Sequence, residues 1–224
     1  MYVKDGPARY LSHLDLLRAF ERAARRAGLP LAHTQGFNPH PVMAFAAPLP
    51  VGVAGEAEFA DIELTQPVGP AELAEKLNNN LPEGIRVREA RPLPPVYPSL
   101  MSLVQKASYT IRAGAERPVG QAEVEAAVGA LLSLANIFVE RAGKKPLKKT
   151  VDIRPGIFAL SGRVNGGKVV FWAVLRTASE GNVRVDDLLA ALVKYSGLPL
   201  VPPFECRRTG LYRDGGEEKE LLWT

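Results

Sequence analysis

SHLDLLRAFERAARRAGLPLAHTQGFNPHPVMAFAAPLPVG, residues 12–52, carries a helix, a return strand, a polar loop and a further strand in that order. Ser12 is placed to cap the helix, with Asp15 three positions on to close a capping box. The helix is expected from about residue 13 to 27 and to stop at Gly28, with Pro30 beyond. At about 100° per residue, Leu16, Leu17, Phe20, Ala23, Ala24 and Ala27 share one face. Arg18, Arg22, Arg25 and Arg26 share the opposite face, with only Glu21 nearby to offset them. Residues 31–34 fit a short strand. Residues 35–41 fit a loop or bulged hairpin end, where Gly36 and Asn38 suit positive φ and Pro39 and Pro41 stiffen the exit. Residues 42–47 resume as a strand.

Working outward, residues 3–11 start as a strand that Gly6-Pro7 interrupts. Residues 56–64 read as a strand with near alternation after Ala60. Residues 70–81 read as a helix with Leu73, Leu77 and Leu81 on its apolar side, and residues 85–90 as a closing strand. Strand, helix, strand, strand, helix, strand is the ferredoxin-like split βαβ order. Residues 92–98, PLPPVYP, then form a stiff extended connector. We place a domain boundary there, between residues 1–95 and 96–224.

The second half repeats the pattern loosely. Residues 108–113 fit a strand and 121–134 a helix. Residues 138–141 and 150–154 bracket a basic segment. Residues 157–164 and 168–175 pair around Asn165-Gly166-Gly167, a hairpin turn. Residues 186–195 fit a helix ending at Gly197, residues 204–212 the last strand, and residues 215–224 a polar tail. The expected class is α+β, with two tandem ferredoxin-like (split βαβ) domains.

Hydrophobic residues make up 46% of the 224 and charged residues 23%, as in ordinary globular chains. The longest apolar runs are too short and too rich in proline to span a bilayer. The N-terminus has no apolar signal core, so a cytoplasmic location without a membrane partner is expected. One cysteine, Cys206, excludes an internal disulfide framework and a Cys-only metal cluster. It reads as an inert small core residue. The net charge of +4 is uneven: residues 1–95 carry 10 Lys and Arg against 11 Asp and Glu, and residues 96–224 carry 18 against 13. Such an excess allows a nucleic-acid partner, and equally serves solubility.

Three places carry candidate chemistry. All three histidines, His13, His33 and His40, fall in the opening stretch. They could converge as a metal site, although spacings of 20 and 7 residues match no local ligand motif. His13 or His40 could instead serve as a general acid–base. Asp15, two residues from His13 on a helix, diverges from it and is better explained as a cap. Gln35, Phe37, Asn38 and His40 bring amides, a ring and an imidazole into one loop. Those groups can stack on and hydrogen-bond an unpaired base, or Asn38 can simply hold a structural turn. Arg18, Arg22, Arg25 and Arg26 suit phosphate contact, or form a solvated helix face. The third place is residues 141–154, RAGKKPLKKTVDIR, with six basic residues against Asp152. Lys144, Lys145, Lys148, Lys149 and Arg154 could follow a phosphate backbone, or be a solvated loop. Arg207 and Arg208 could extend that patch, or be exposed edge charges. The loop and the lysine arm are expected to open onto one shared cleft.

Several of these stretches resemble a bacterial radical-SAM-associated family of unknown function. They are residues 9–15 (RYLSHLD), 25–30 (RRAGLP), 35–41 (QGFNPHP), 48–52 (PLPVG), 149–154 (KTVDIR) and 208–211 (RTGL). Here His33 stands where that family usually has Tyr or Phe, with Thr34 next. The resemblance implies fusion to, or encoding beside, a B12-binding-type radical SAM enzyme, often near genes for ribonuclease G and ribosomal proteins. It thus implies a separate radical SAM enzyme as partner and an RNA setting, with tRNA or rRNA as ligand and no DNA. The cluster would sit on the partner, because one cysteine cannot hold it, so no cofactor is expected on this chain. A looser similarity, of architecture alone, is to the repeat-associated RNA-processing proteins of CRISPR systems. These points suggest an RNA-binding module that presents substrate to that enzyme, in RNA modification or processing. The alternatives are a metal-independent, endoribonuclease-like enzyme using His13 or His40, and a protein-interaction subunit without RNA contact.

Overall fold

The computed structural model describes residues 1–94, 96–141, 149–178 and 181–213. The fold is α+β. It divides into two compact units, one of Met1–Val104 with the segment that begins at Arg208, the other of Gln105–Arg207. The proline-rich connector is therefore not the division. Beyond it a short helix α3, Leu100–Leu103, still contacts the first unit, and Leu100 and Val104 are buried.

In the first unit the elements are β1 (Tyr2–Lys4), a 3-10 turn (Gly6–Tyr10), α1 (His13–Arg26), β2 (Met43–Phe45), β3 (Ala54–Glu58), β4 (Ala60–Ile62), α2 (Pro70–Asn78), β5 (Ile85–Val87) and α3. β1 stops early because the Asp5 carboxylate accepts from the Gly6 N–H at 2.8 Å, and Pro7 opens the turn. β1 runs antiparallel to both β3 and β5, with Tyr2 opposite Glu58 on one side and Val87 on the other. Gly84 is forced by the approach to β5. Its φ is +86°, and a Cβ there would lie 2.3 Å from the Asp5 carbonyl.

α1 begins and ends as its sequence dictates. Ser12 Oγ accepts from the Asp15 N–H at 3.2 Å and donates to the Asp15 carboxylate at 2.6 Å. The carboxylate thus takes the hydroxyl rather than the Ser12 backbone N–H of a full capping box. At the other end Gly28 has φ +64°, its N–H donates to Arg25 O, and the Leu29 N–H donates to Ala24 O. This is a Schellman motif. The apolar face of α1 packs Phe20 against Tyr2 and Phe45, whose rings meet edge to face at 5.1–6.0 Å.

The sequence suggests one strand over residues 56–64; the structure splits it at Phe59. Before Phe59, β3 faces β1. After it, β4 pairs antiparallel with β2, and the Ala46 N–H donates to Phe59 O. β2 therefore lies in a small two-stranded sheet with β4.

The second unit contains β6 (Lys106–Ala115), α4 (Gln121–Ser133), β7 (Phe138–Arg141), β8 (Lys149–Asp152), a 3-10 turn (Arg154–Gly156), β9 (Ile157–Asn165), β10 (Lys168–Arg176), α5 (Val185–Ser196) and β11 (Leu200–Tyr212). β9 and β10 meet through Gly166 and Gly167, both at positive φ, as a two-residue hairpin requires. α5 ends at left-handed Gly197. β7 and β8 pair as a hairpin. β11 begins earlier than residue 204, despite Pro202 and Pro203. Its residues fall in both units: residues 200–207 lie with the second, in the order β11-β6-β10-β9, and residues 208–212 with the first, in the order β5-β1-β3-β11. Among the described residues no helix is long and apolar enough to cross a membrane. The expected polar tail, residues 215–224, lies outside the described residues.

Candidate nucleic-acid interface

The polar loop of the opening stretch is a pinned hairpin. His33 bridges Pro41, and the Thr34 N–H donates to His40 O at 2.8 Å. The His40 N–H donates to Thr34 Oγ1 at 3.1 Å, and the Val42 N–H to Ala32 O at 2.9 Å. Residues 33–40 are all exposed between these bonds, and the Phe37 ring is completely so. Leaving a phenyl ring in water forgoes about 2 kcal/mol of burial. Gln35, Asn38 and His40 stand beside it. Of the two residues expected at positive φ, only Gly36 adopts it, at +133°.

The three histidines play separate parts. His13, exposed at the start of α1, sets its ring edge-on to Phe45 at 5.7 Å. His33 places Nδ1 3.0 Å from Leu31 O, a local backbone anchor. His40 closes the hairpin through its backbone. Among the described residues no three His, Cys, Asp or Glu side chains could hold a metal ion, so the histidines do not form a ligand set. Asp15 is held below the usual carboxylate range, first by the Ser12 hydroxyl and less by Arg18 and Arg22. It caps the helix and does not pair with His13. Two hollows, of about 490 and 470 Å³, lie by α5 with the start of β11 and by residues 78–86. Among the described residues, none of the candidate site residues, His13, Phe37 and His40 included, lines either hollow.

Arg18, Arg22, Arg25 and Arg26 are all exposed along α1. Arg18 reaches Asp15 only at 3.8 Å, a loose surface pair. Arg25 and Arg26 lie in the last turn, where cations complement the helix dipole. At the other end of α1 are groups that periodicity did not single out. The Arg9 guanidinium lies 4.8 Å from the centre of the exposed Tyr10 ring, and Leu14 is exposed. The Gly52 N–H donates to Arg9 O at 2.8 Å, which joins residues 48–52 to residues 9–15. The sequence signal was their nearness to Ser12.

Two of the cations proposed for RNA, Arg208 and Arg154, are committed elsewhere. Arg208 is neither part of a basic patch nor an exposed edge charge. It is 1% exposed, with Nε 2.8 Å and a terminal nitrogen 2.5 Å from the Glu58 carboxylate, and it donates to Ala47 O at 2.8 Å. Lys4, also buried, donates to Leu11 O at 2.8 Å. Burial pushes its pKa down, Glu58 opposes that, and Arg208 adds to it. Arg154 spends its guanidinium on Leu132 O, at 2.9 and 3.1 Å, at the end of α4. Arg207 is half-buried and Lys149 exposed at the start of β8. Lys144, Lys145 and Lys148, and with them the expected cleft, lie outside the described residues. Cys206 is half-buried rather than core, and burial pushes its thiol up to about 11, with Asp186 adding to the effect.

The β7–β8 hairpin is clamped at its base and along one strand. Arg141 binds Asp187 at 2.6 and 3.0 Å and Asn182 O at 2.5 Å. Asp152 accepts from Asn136, from the Ile137 N–H and from the Arg154 N–H, at 2.8, 2.8 and 3.0 Å. Burial alone would raise the Asp152 pKa, but these bonds outweigh it and the pKa falls. A depressed carboxyl stabilises the fold above its unfolded pKa of about 3.9 and loses that contribution as pH falls through the lower, folded value. Asp152→Asn should speed amide exchange at Ile137 and Ile153, which bond to Asp152 and to Ile137 O respectively. Unchanged protection at both would contradict this role.

The chain matches a family of uncharacterized proteins conserved in bacteria, DUF2344, over residues 1–185. It belongs to that family. No curated protein matches this DUF2344 chain. Among solved structures it is similar to a chain in "Crystal Structure of a Cbf5-Nop10-Gar1 Complex", with a TM-score of 0.50 and 11% identity. The match covers 95% of the DUF2344 chain and 49% of the other, so the chain spans about half the length of that neighbour. At such identity the likeness concerns the fold alone.

Proposed function

We propose that this protein is an RNA-binding accessory module that presents a structured RNA, such as tRNA or rRNA, to a separate radical SAM enzyme. The observation that carries the RNA reading is the fully exposed Phe37 ring on a hairpin pinned at both ends, with Gln35, Asn38 and His40 beside it. A ring held out in that way suits an unpaired base, and the neighbouring amides and imidazole suit its edges. The four exposed arginines of α1 supply phosphate contacts. The radical SAM partner is supported by the motif resemblance. We also infer two ferredoxin-like units. The order β11-β6-β10-β9 supports this in the second, with the β7–β8 hairpin inserted after α4. The order β5-β1-β3 supports it in the first, with β11 beside β3 where β2 would stand.

Titration of the protein with tRNA and rRNA fragments at low salt tests the proposal. Phe37→Ala should weaken binding about tenfold, the worth of one stacked base, without altering the fold. Absence of any affinity at low salt would sink it. A second reading, a protein-interaction subunit without RNA contact, is favoured by the exposed Tyr10, Leu14 and Val51. Co-purification of the radical SAM enzyme that survives nuclease treatment, with no RNA affinity in the titration, would select it.

A further inference from the structure

The sheet of the second unit has two unlike faces. On β10, Val169, Phe171, Ala173 and Leu175 are buried. Helix α4 covers that side: a Cβ on Gly162, which sits opposite Phe171, would lie 2.5 Å from Val124. The alternate residues Val170, Trp172, Val174 and Arg176 point the other way. On this second face Trp172 remains 36% exposed and Phe158 43%. The pairing places Thr110 and Ser161 on either side of Trp172, and Arg112 and Arg163 on either side of Val170. An irregularity opposite Val174 and Leu175 frees Phe158 from the ladder. Lys106 Nζ and Arg176 Cζ lie 4.8 and 5.4 Å from its ring centre. The three strands β6, β9 and β10 carry Lys106, Arg112, Arg163, Lys168 and Arg176 and not one carboxylate.

Five cations around two exposed rings, of which Lys168 is paired with Glu205 of β11 at 2.9 Å, match a ligand that is both polyanionic and aromatic. We propose that this face binds single-stranded RNA, with one base on Trp172, a second at Phe158, and phosphates on Arg112 and Arg163. Trp172 and Arg176, the level of Phe158, are four residues apart along β10, roughly 13 Å at the strand rise. Stacked neighbouring bases are only about 3.4 Å apart, so the RNA would cross the sheet extended. An acidic peptide would satisfy the cations but leave Trp172 without a matching plane. The site is separate from the Phe37 hairpin and shares only its ligand class with the function proposed above.

Trp172 reports on its own occupancy. The chain has two tryptophans, so Trp223→Phe leaves Trp172 as the single emitter. Adding a uridine oligomer of about ten residues at low salt should quench it. Arg112→Gln with Arg163→Gln, both at exposed positions, should weaken binding about tenfold and flatten the salt slope by about 1.4. Trp172→Phe should retain most of the affinity and Trp172→Ala should lose about tenfold. No quenching, or affinity and salt slope unaltered in the folded arginine double variant, would overturn the proposal. Tighter binding of a deoxythymidine oligomer would overturn the assignment to RNA. Phe37→Ala should leave the quenching intact; quenching lost with Phe37 would overturn the separate site. Quenching that persists while structured RNA fails to bind would uphold this site and overturn only the presenting function.

Discussion

Arg208→Ala should lower the unfolding free energy by about 3–5 kcal/mol, read as a shift in the urea midpoint. The guanidinium is buried, bound by two nitrogens to Glu58 and donating to the Ala47 carbonyl. Removing it strands a buried carboxylate, takes a donor from the half-buried Ala47 carbonyl and leaves a cavity. Lys4 tempers the loss, because its buried ammonium still attracts Glu58. Glu58→Gln, nearly the same shape, should cost as much. It leaves Lys4 and Arg208 buried together without an anion. Arg208→Lys keeps the charge but not the planar fork, and should fall between the wild type and Arg208→Ala. A change in midpoint under 1 kcal/mol for both Arg208→Ala and Glu58→Gln would show that the pair contributes nothing, in contrast to the usual cost of about 3 kcal/mol or more.

Neutralising Arg18, Arg22, Arg25 and Arg26 together, each to Gln, should lower affinity for structured RNA roughly a hundredfold at low salt. The salt dependence is the sharper measurement. Each guanidinium that releases a counterion contributes about 0.7–0.9 to the slope of log affinity against log salt, so four should flatten it by about 3. Gln and Arg have similar helix propensity, so α1 should persist. The loss of Arg25 and Arg26 from its last turn should cost about 0.3–1 kcal/mol each. Circular dichroism checks this independently of RNA. An unaltered slope would mean that the arginine face is solvated surface and that phosphates lie elsewhere.

Local chemistry made much of this molecule legible. Ser12 and Gly28 mark the two ends of α1, Asn165-Gly166-Gly167 marks the β9–β10 hairpin, and Gly197 ends α5. The arginine face follows from the helical period alone. What sequence could not show depends on distant partners. Arg208 and Glu58 lie 150 positions apart, and an arginine in an alternating strand reads as an exposed edge charge. β2 departs from the expected sheet because Phe59 divides its neighbour in two, a break no turn residue announces. The Trp172 face was hidden for the opposite reason. Residues 169–175 are apolar throughout, so alternation does not tell the two faces apart. The usable signal was the absence of carboxylates from three strands that carry five cations.

The Arg208–Glu58 bond has a consequence for how the chain is made. A ribosome that has just completed Val104 has produced most of the first unit, including Glu58, but not the cation that neutralises it. More than a hundred further residues, those of the whole second unit, are translated before Arg208 emerges. A nascent first unit therefore carries a buried acid opposed by Lys4 but not yet by Arg208, and its final closure waits for the second unit to be made.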